Sequence, residues 1–339
     1  MRGARHWFAV PPRPGEDIGY RRDLDGLRAI AVGLVMYAHF GGPWKSNTAD
    51  VGVTAFFVLS GYLITSLLVR ERERTGRIQL GAFYRRRLVR LGPALLALLA
   101  FGLLLGVSGV LVSAWQLGLA SSLLYVSNWV QAAGIAVHPV GHTWSLAIEE
   151  QFYVVWPLLL IVLWRRALWV AIGLIGVAIV ARTFASGYFE YFSTITRMDA
   201  ILLGCVLAFA RPRVPSWVGV AGVVGLILTS VMLATDQHDV AIPAAMIATA
   251  AVIASPVAPL GRLAPVGLRA YSLYLWNTPM SLIFGPAGWI APAMTVAIGE
   301  LSFRLFERPV LRRGGARAPI SARPEASAVV EPVRLSAVP

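Results

Sequence analysis

The sequence predicts an all-α polytopic membrane protein, a helical bundle of about ten transmembrane helices plus one re-entrant or interfacial segment at 114–133. Three observations carry this. Hydrophobic residues make up 57% of the 339 positions and charged residues only 14%, with a mean hydropathy of +0.67. Apolar runs long enough to cross a bilayer recur from about residue 26 to 305, leaving no room for a sizeable aqueous domain. The cations, finally, gather in a subset of the short connections, as membrane topology requires.

The expected spans are 26–44, 51–69, 91–112, 144–164, 167–184, 198–210, 216–234, 240–259, 270–285 and 287–305. Residues Arg70 to Arg90 hold eight arginines against two glutamates, so that connection is expected on the cytosolic side. If 114–133 crossed fully, Arg165 and Arg166 would be forced outside. If it does not cross, they fall inside together with Arg211, Arg262, Arg269 and Arg308, while Glu190 and Asp239 face out. Residues 1–23 then read as a cytosolic N-terminal tail, 24–309 as the membrane domain and 310–339 as a disordered cytosolic tail rich in Ala, Pro, Arg and Val. The expected location is the inner (plasma) membrane, with both termini cytosolic.

The formal net charge of +13 serves topology here and does not point to nucleic acid. Lys45 is the only lysine, which argues against Schiff-base chemistry, and the single Cys205 excludes an intramolecular disulfide and a multi-cysteine metal site. No metal is expected. Cys205 reads as a small packing residue.

The polar residues inside the apolar runs are the candidates for chemistry. Arg28 and His39 are eleven residues apart. On an α-helix that spacing returns to within about 20° of one face and separates them by about 16.5 Å along the axis. A snorkelling arginine and a packed histidine would explain the pair equally well. In HTWSLAIEEQFYVVWP (142–157), Ser145, Glu149, Tyr153 and Trp156 share a broad helical face, and Glu149 comes to a depth similar to that of His39. A carboxylate that orients an imidazole is a route to a general base; glutamates gluing arginines are the structural alternative. FYRRRLVRLGP (83–93) concentrates arginines that suit the phosphates of an anionic ligand, or anionic lipid headgroups. Glu300 and Arg304 read as a structural i,i+4 pair, and FFVLSGY as a close-packing segment without the context of a serine nucleophile.

Taken in order, DGLRAIAVGLVMYAH (25–39), GVTAFFVLSGYLIT (52–65), RRLVRLGP (86–93), TWSLAIEEQFYVVWP (143–157), RMDAILLG (197–204) and YSLYLWNTP (271–279) resemble the acyltransferase-3 family of integral membrane O-acyltransferases. The resemblance implies ten spans with cytosolic termini. It also implies transfer of an acyl group, commonly acetyl from acyl-CoA, to a hydroxyl of a cell-envelope glycan, glycolipid or glycosylated metabolite. On that basis His39, Glu149 and Arg28 are the catalytic candidates, and Arg86, Arg87 and Arg90 the acyl-CoA-binding ones. Trp144, Ser145, Tyr153 and Asn277 are assigned to the substrate lining. Acyl-CoA is a co-substrate and no cofactor is expected to be permanently bound. The expected partners are the acyl-CoA, the acceptor, membrane lipids and a separate outer-face protein for any second step. Asn277 stands where many relatives have histidine and cannot shuttle protons near neutral pH, which shifts weight to His39. The rival reading is a glycolipid or polysaccharide transporter or flippase. Against it stand the lack of an internal repeat and the arginine cluster without an NTP-binding motif.

Overall fold

The computed structural model describes residues 21–41, 47–110, 115–212, 214–232, 237–285 and 288–310. Most of both predicted tails, and Lys45, lie outside the described residues. Among the described residues the chain is all-helical, and a helix stands at each of the ten expected spans.

The first three helices are α1 (Arg22–His39), α2 (Thr48–Thr75) and α3 (Leu80–Val107). Two short helices follow, α4 (Trp115–Leu123) and α5 (Ser127–Ala132), then α6 (Thr143–Val162), α7 (Ala167–Phe184), α8 (Gly187–Phe192) and α9 (Thr194–Ala210). The remaining described helices are α10 (Ser216–Met232), α11 (His238–Ala254), α12 (Ala264–Gly267), α13 (Ala270–Phe284) and α14 (Ile290–Ser302), the last running into a π turn at Phe303–Glu307.

Among the described residues, five helical segments are long and apolar enough to cross a membrane: Thr48–Thr75, Leu80–Val107, Thr143–Val162, Trp164–Phe184 and Gly187–Ala210. A sixth arises if His238–Ala254 and Ala258–Gly267, bent by 95°, count as one span. The expected ten is therefore not reached on length and apolarity, for identifiable reasons. The first turns of α1 carry Arg22, Asp23, Asp25 and Arg28. With 15 and 13 residues, α13 and α14 rise only about 22 and 20 Å, short of a core about 30 Å thick. Within 114–133, α4 and α5 have nine and six residues and break at Tyr125, whose φ is +54°. Neither is long enough to cross.

The arginine-rich stretch expected as a connection is helical instead. α2 continues to Thr75 and α3 begins at Leu80, so only residues 76–79 form the turn. Arginines alternating with glutamates at the end of α2, and Leu, Ala and Arg at the start of α3, are good helix formers and let both helices extend past the apolar runs.

At the centre lies α2, against which α1, α9, α11 and α6 pack. Its crossing with α9 is close because two glycines face backbone: a Cβ on Gly61 would sit 1.8 Å from the Ile201 carbonyl oxygen, and one on Gly204 2.0 Å from that of Val58. Cys205 is fully buried beside this crossing. The Glu300–Arg304 bond forms at 2.6 Å and Arg269 joins it from α13's N-cap.

Candidate active site

Along α3, Phe83, Leu91, Ala94 and Leu98 are buried and define the inward face. At about 100° per residue, Arg87 falls in the middle of that face and Arg90 near its edge, while Arg86 is turned about 100° from Arg87. Arg87 and Arg90 accordingly line a cavity of about 150 Å3 between α1, α2, α3, α6 and α13. Arg28 and Glu149 line the same cavity. Arg86 does not; its nearest carboxylate is Glu71, at 4.0 Å.

Arg87 donates from Nη2 to Glu150 Oε1 at 2.8 Å, and its guanidinium carbon lies 3.4 Å from the centre of the Tyr153 ring. Arg28 is paired with Asp25 one turn back on α1. Glu149 Oε2 accepts from Ser60 Oγ and from Tyr153 Oη, each at 3.0 Å, and those two hydroxyls also touch. Two turns further along α6, Trp156 Nε1 donates to Thr65 Oγ1 at 2.8 Å. One polar edge thus joins α6 to α2, and Ser60, Glu149 and Tyr153 of that edge line the cavity. Ser145 Oγ meets Tyr274 Oη at 2.5 Å, and Tyr274 donates to the His142 carbonyl at 2.8 Å.

His39, the last residue of α1, opens onto a second, larger cavity of about 560 Å3, shared with Gln131, His138, Gly141, Thr278 and Ser281. Its Nδ1 lies 2.8 Å from the Val35 carbonyl oxygen. A carbonyl only accepts, so Nδ1 carries the proton and the neutral ring presents its Nε2 lone pair. Ser281 Oγ donates to the His39 carbonyl at 2.8 Å and fixes the helix end.

The expected Glu149–His39 contact is absent, because Glu149 is bound by Ser60 and Tyr153 on the smaller cavity while His39 lines the larger one. Similar depth along two helices says nothing about their rotation, and the backbone of Val35 orients the imidazole in place of a carboxylate. Two further candidates lie off both cavities. Trp144 is buried in an aromatic cluster with Phe57, Tyr191 and Phe192, with Arg197 5.6 Å from its ring. Asn277 is fully buried; its Nδ2 donates to the Tyr274 carbonyl at 2.5 Å and its Oδ1 accepts from Thr278.

Sequence reasoning did not single out Ser60, Tyr271, Tyr274 or His142. Tyr271 and Tyr274 line the smaller cavity with Ser60. Their signal was present in YSLYLWNTP, where positions 271 and 274 share a helical face. His142 directly precedes α6 and is buried. The Leu275 backbone hydrogen-bonds its ring. Burial pushes its imidazole down to about 3, and nearby His39 acts in the same direction. Among the described residues, no group of three or more His, Cys, Asp or Glu gathers at metal-binding distance.

The family model described as an acyltransferase domain matches residues 21–303. The O-acetyltransferase OatA of Staphylococcus aureus strain NCTC 8325 / PS 47 is 33% identical over 353 aligned residues, covering 87% of this chain and 58% of the relative. The protein of the same name from strain COL matches with the same identity and coverage. The chain therefore spans 58% of the length of these curated relatives. No solved structure matches it.

Proposed function

Because this chain belongs to the acyltransferase-3 family, we propose that it is a plasma-membrane O-acyltransferase. In this reading it moves an acyl group, acetyl by analogy with the named activity of its relatives, from cytosolic acyl-CoA to a hydroxyl of a cell-envelope glycan, glycolipid or glycosylated metabolite. Ten crossings with both termini cytosolic remain the topology we favour. Of the shorter helices, α1 and α13 would then cross largely enclosed by their neighbours, while the exposed apolar side chains of α10 and α14, such as Ile227, Val296 and Leu301, would face lipid.

One observation carries the reading. Arg28, Arg87 and Arg90 converge on one cavity, and His39, its Nδ1 held by the Val35 carbonyl, lines a second. In the proposed reaction the arginines hold the phosphates of the donor by charge-assisted hydrogen bonds. The thioester extends toward Ser145 and Tyr274. The acceptor hydroxyl enters the larger cavity and gives its proton to His39 Nε2 as its oxygen attacks the thioester carbonyl. A C–O bond forms, the C–S bond breaks, and the departing thiolate receives the proton from the imidazolium. Glu149 is a positioning residue: it holds Tyr153 beneath the Arg87 guanidinium.

Purified protein incubated with labelled acetyl-CoA and candidate glycans is expected to form labelled ester. The His39→Ala variant is expected to remain inserted and form none. Ester formation at the normal rate by that variant would overturn the assignment. Mass spectrometry of envelope glycans and glycolipids, with and without this protein, identifies the acceptor as the species shifted by one acyl mass.

A further inference from the structure

The smaller cavity is charged at one end and apolar at the other. On α2, Val53, Phe56, Ser60 and Leu63 recur three or four residues apart and turn one helical face toward it. Contacts between helices set the level of each side chain: Arg87 pairs with Glu150, Ser60 with Glu149, and Ser145 with Tyr274. Glu150 and Ser145 are five residues apart on α6, so the Ser145–Tyr274 pair lies about 7.5 Å beyond the level of Arg87. Phe56 stands at this further level, where its ring meets that of Tyr274 edge-on with centroids 6.1 Å apart. Val53 is buried, as are Phe57, Ser145, Leu146 and Tyr274. Arg28 and Arg87, at the other end, stay partly exposed. The far end is therefore closed and apolar, apart from two hydroxyls that bind each other. Such a surface gains nothing from a phosphate and is suited to bury hydrocarbon. A donor anchored by its phosphates on the arginines would bring its acyl group there.

We propose that this closed end is an acyl-chain subsite built for a short chain, and that Phe56 is the residue that limits the length. This rests on the acyltransferase reading. The cavity as a whole is only about 150 Å3. With the thioester carbonyl at the level of Ser145 and Tyr274, the acyl tail points toward the Phe56 ring. An acetyl methyl ends in van der Waals contact with that ring. Each further carbon must displace an aromatic side chain already packed on Tyr274, and close-packed interiors resist such displacement. Phe57, its neighbour, is fully buried and packs edge-on against Trp144. It backs the wall, while the partly buried Phe56 forms its surface. The subsite makes and breaks no bond; it selects which thioesters reach the acceptor.

The test uses the full chain in lipid nanodiscs and needs no acceptor. Acetyl-, butyryl- and hexanoyl-CoA compete with labelled acetyl-CoA for binding, and unacylated CoA reports the arginine end alone. Wild-type protein is expected to bind hexanoyl-CoA at least about tenfold more weakly than acetyl-CoA, the lower end of what one misfit methylene is worth in an apolar pocket. Phe56→Ala should erase or reverse that preference while binding CoA as the wild type does. Phe56→Leu keeps the face apolar, should shift the preference in the same direction, and decides the matter if the alanine variant does not fold. Leu63→Ala, on the same face but nearer the arginines, should leave the preference in place, which separates a wall against the acyl group from a general loosening of the cavity. Wild-type protein that binds all three acyl-CoAs alike, or a Phe56→Leu variant with normal CoA binding and an unaltered preference, overturns the inference and leaves the acyltransferase reading intact. An inserted wild-type protein that binds no acyl-CoA overturns both.

Discussion

Removing the guanidinium of Arg87 separates a donor-binding role from a merely structural one, because this side chain has two identifiable attachments. It donates to Glu150 at 2.8 Å and stacks on Tyr153 at 3.4 Å. In Arg87→Met the stack is lost, worth about 1 kcal/mol at a partly desolvated site. Glu150 is also left without its counter-charge. A fully buried pair broken this way costs about 3–5 kcal/mol. With side-chain accessibilities of 19% and 16% for Arg87 and Glu150, about 2–4 kcal/mol in total is the expectation. Glu150→Gln keeps an acceptor for Arg87 and loses only the charge assistance, about 1–2 kcal/mol. Combining the two removes the stranded carboxylate, so the double variant should be less destabilised than the sum of the singles by about 1–3 kcal/mol. Donor affinity should split differently. Arg87→Met should weaken CoA binding about 10- to 100-fold, the value of one charge-assisted contact to phosphate. Glu150→Gln frees Nη2 and should leave affinity unchanged or improved. Calorimetric titration of CoA into nanodisc-embedded protein, with thermal unfolding followed by tryptophan fluorescence, supplies both sets of numbers. If Glu150→Gln weakens CoA binding as much as Arg87→Met does, Arg87 is a structural strut and the donor reading of this cavity fails.

Other substitutions probe the remaining contacts. Tyr153→Phe removes a hydroxyl shared by Ser60 and Glu149 and is expected to cost about 1–2 kcal/mol of thermal stability and to slow acyl transfer without abolishing it; an inactive, fully stable variant would make Tyr153 a participant in the chemistry. Gly61→Ala would drive a methyl group into the Ile201 carbonyl and is expected to cost about 3 kcal/mol or more, seen as a lower melting temperature or lost expression; wild-type melting would refute the close α2–α9 crossing. Asn277→His restores the residue common among relatives, but Asn277 is fully enclosed and hydrogen-bonded. The larger ring is expected to lower stability by about 1–3 kcal/mol with no gain in turnover, so a faster enzyme would show that this position reaches the substrates.

Much of this arrangement was legible from residue spacing along single helices, and the gaps fall where spacing has nothing to say. Eleven positions separate Arg28 from His39, and on α1 the two side chains line different cavities at opposite ends of the stripe. Axial rise could be computed from sequence, which is why Glu149 and His39 were expected to meet. The rotation of α6 against α1 is set by tertiary contacts, here Ser60–Glu149 and Thr65–Trp156, and no local pattern encodes it. Trp144 was misjudged for the same reason: its one-residue offset from Ser145 turns it about 100° away, into Tyr191 and Phe192. Ser60 was hidden because a serine beside a packing glycine reads as part of the packing. Its hydroxyl faces α6 while Gly61, one position on, faces α9.

The bond between the His39 ring and the Val35 carbonyl has a consequence for inheritance. Every residue type at position 35 supplies the same carbonyl, so Val35 can change to Ala, Ile or Leu without altering which nitrogen of His39 is available. A side-chain scan should therefore find one indispensable base and no companion acid whose loss mimics it, although the orienting contact exists. Only chemistry on the main chain itself, such as replacing a peptide unit by an ester through semisynthesis, would reach it.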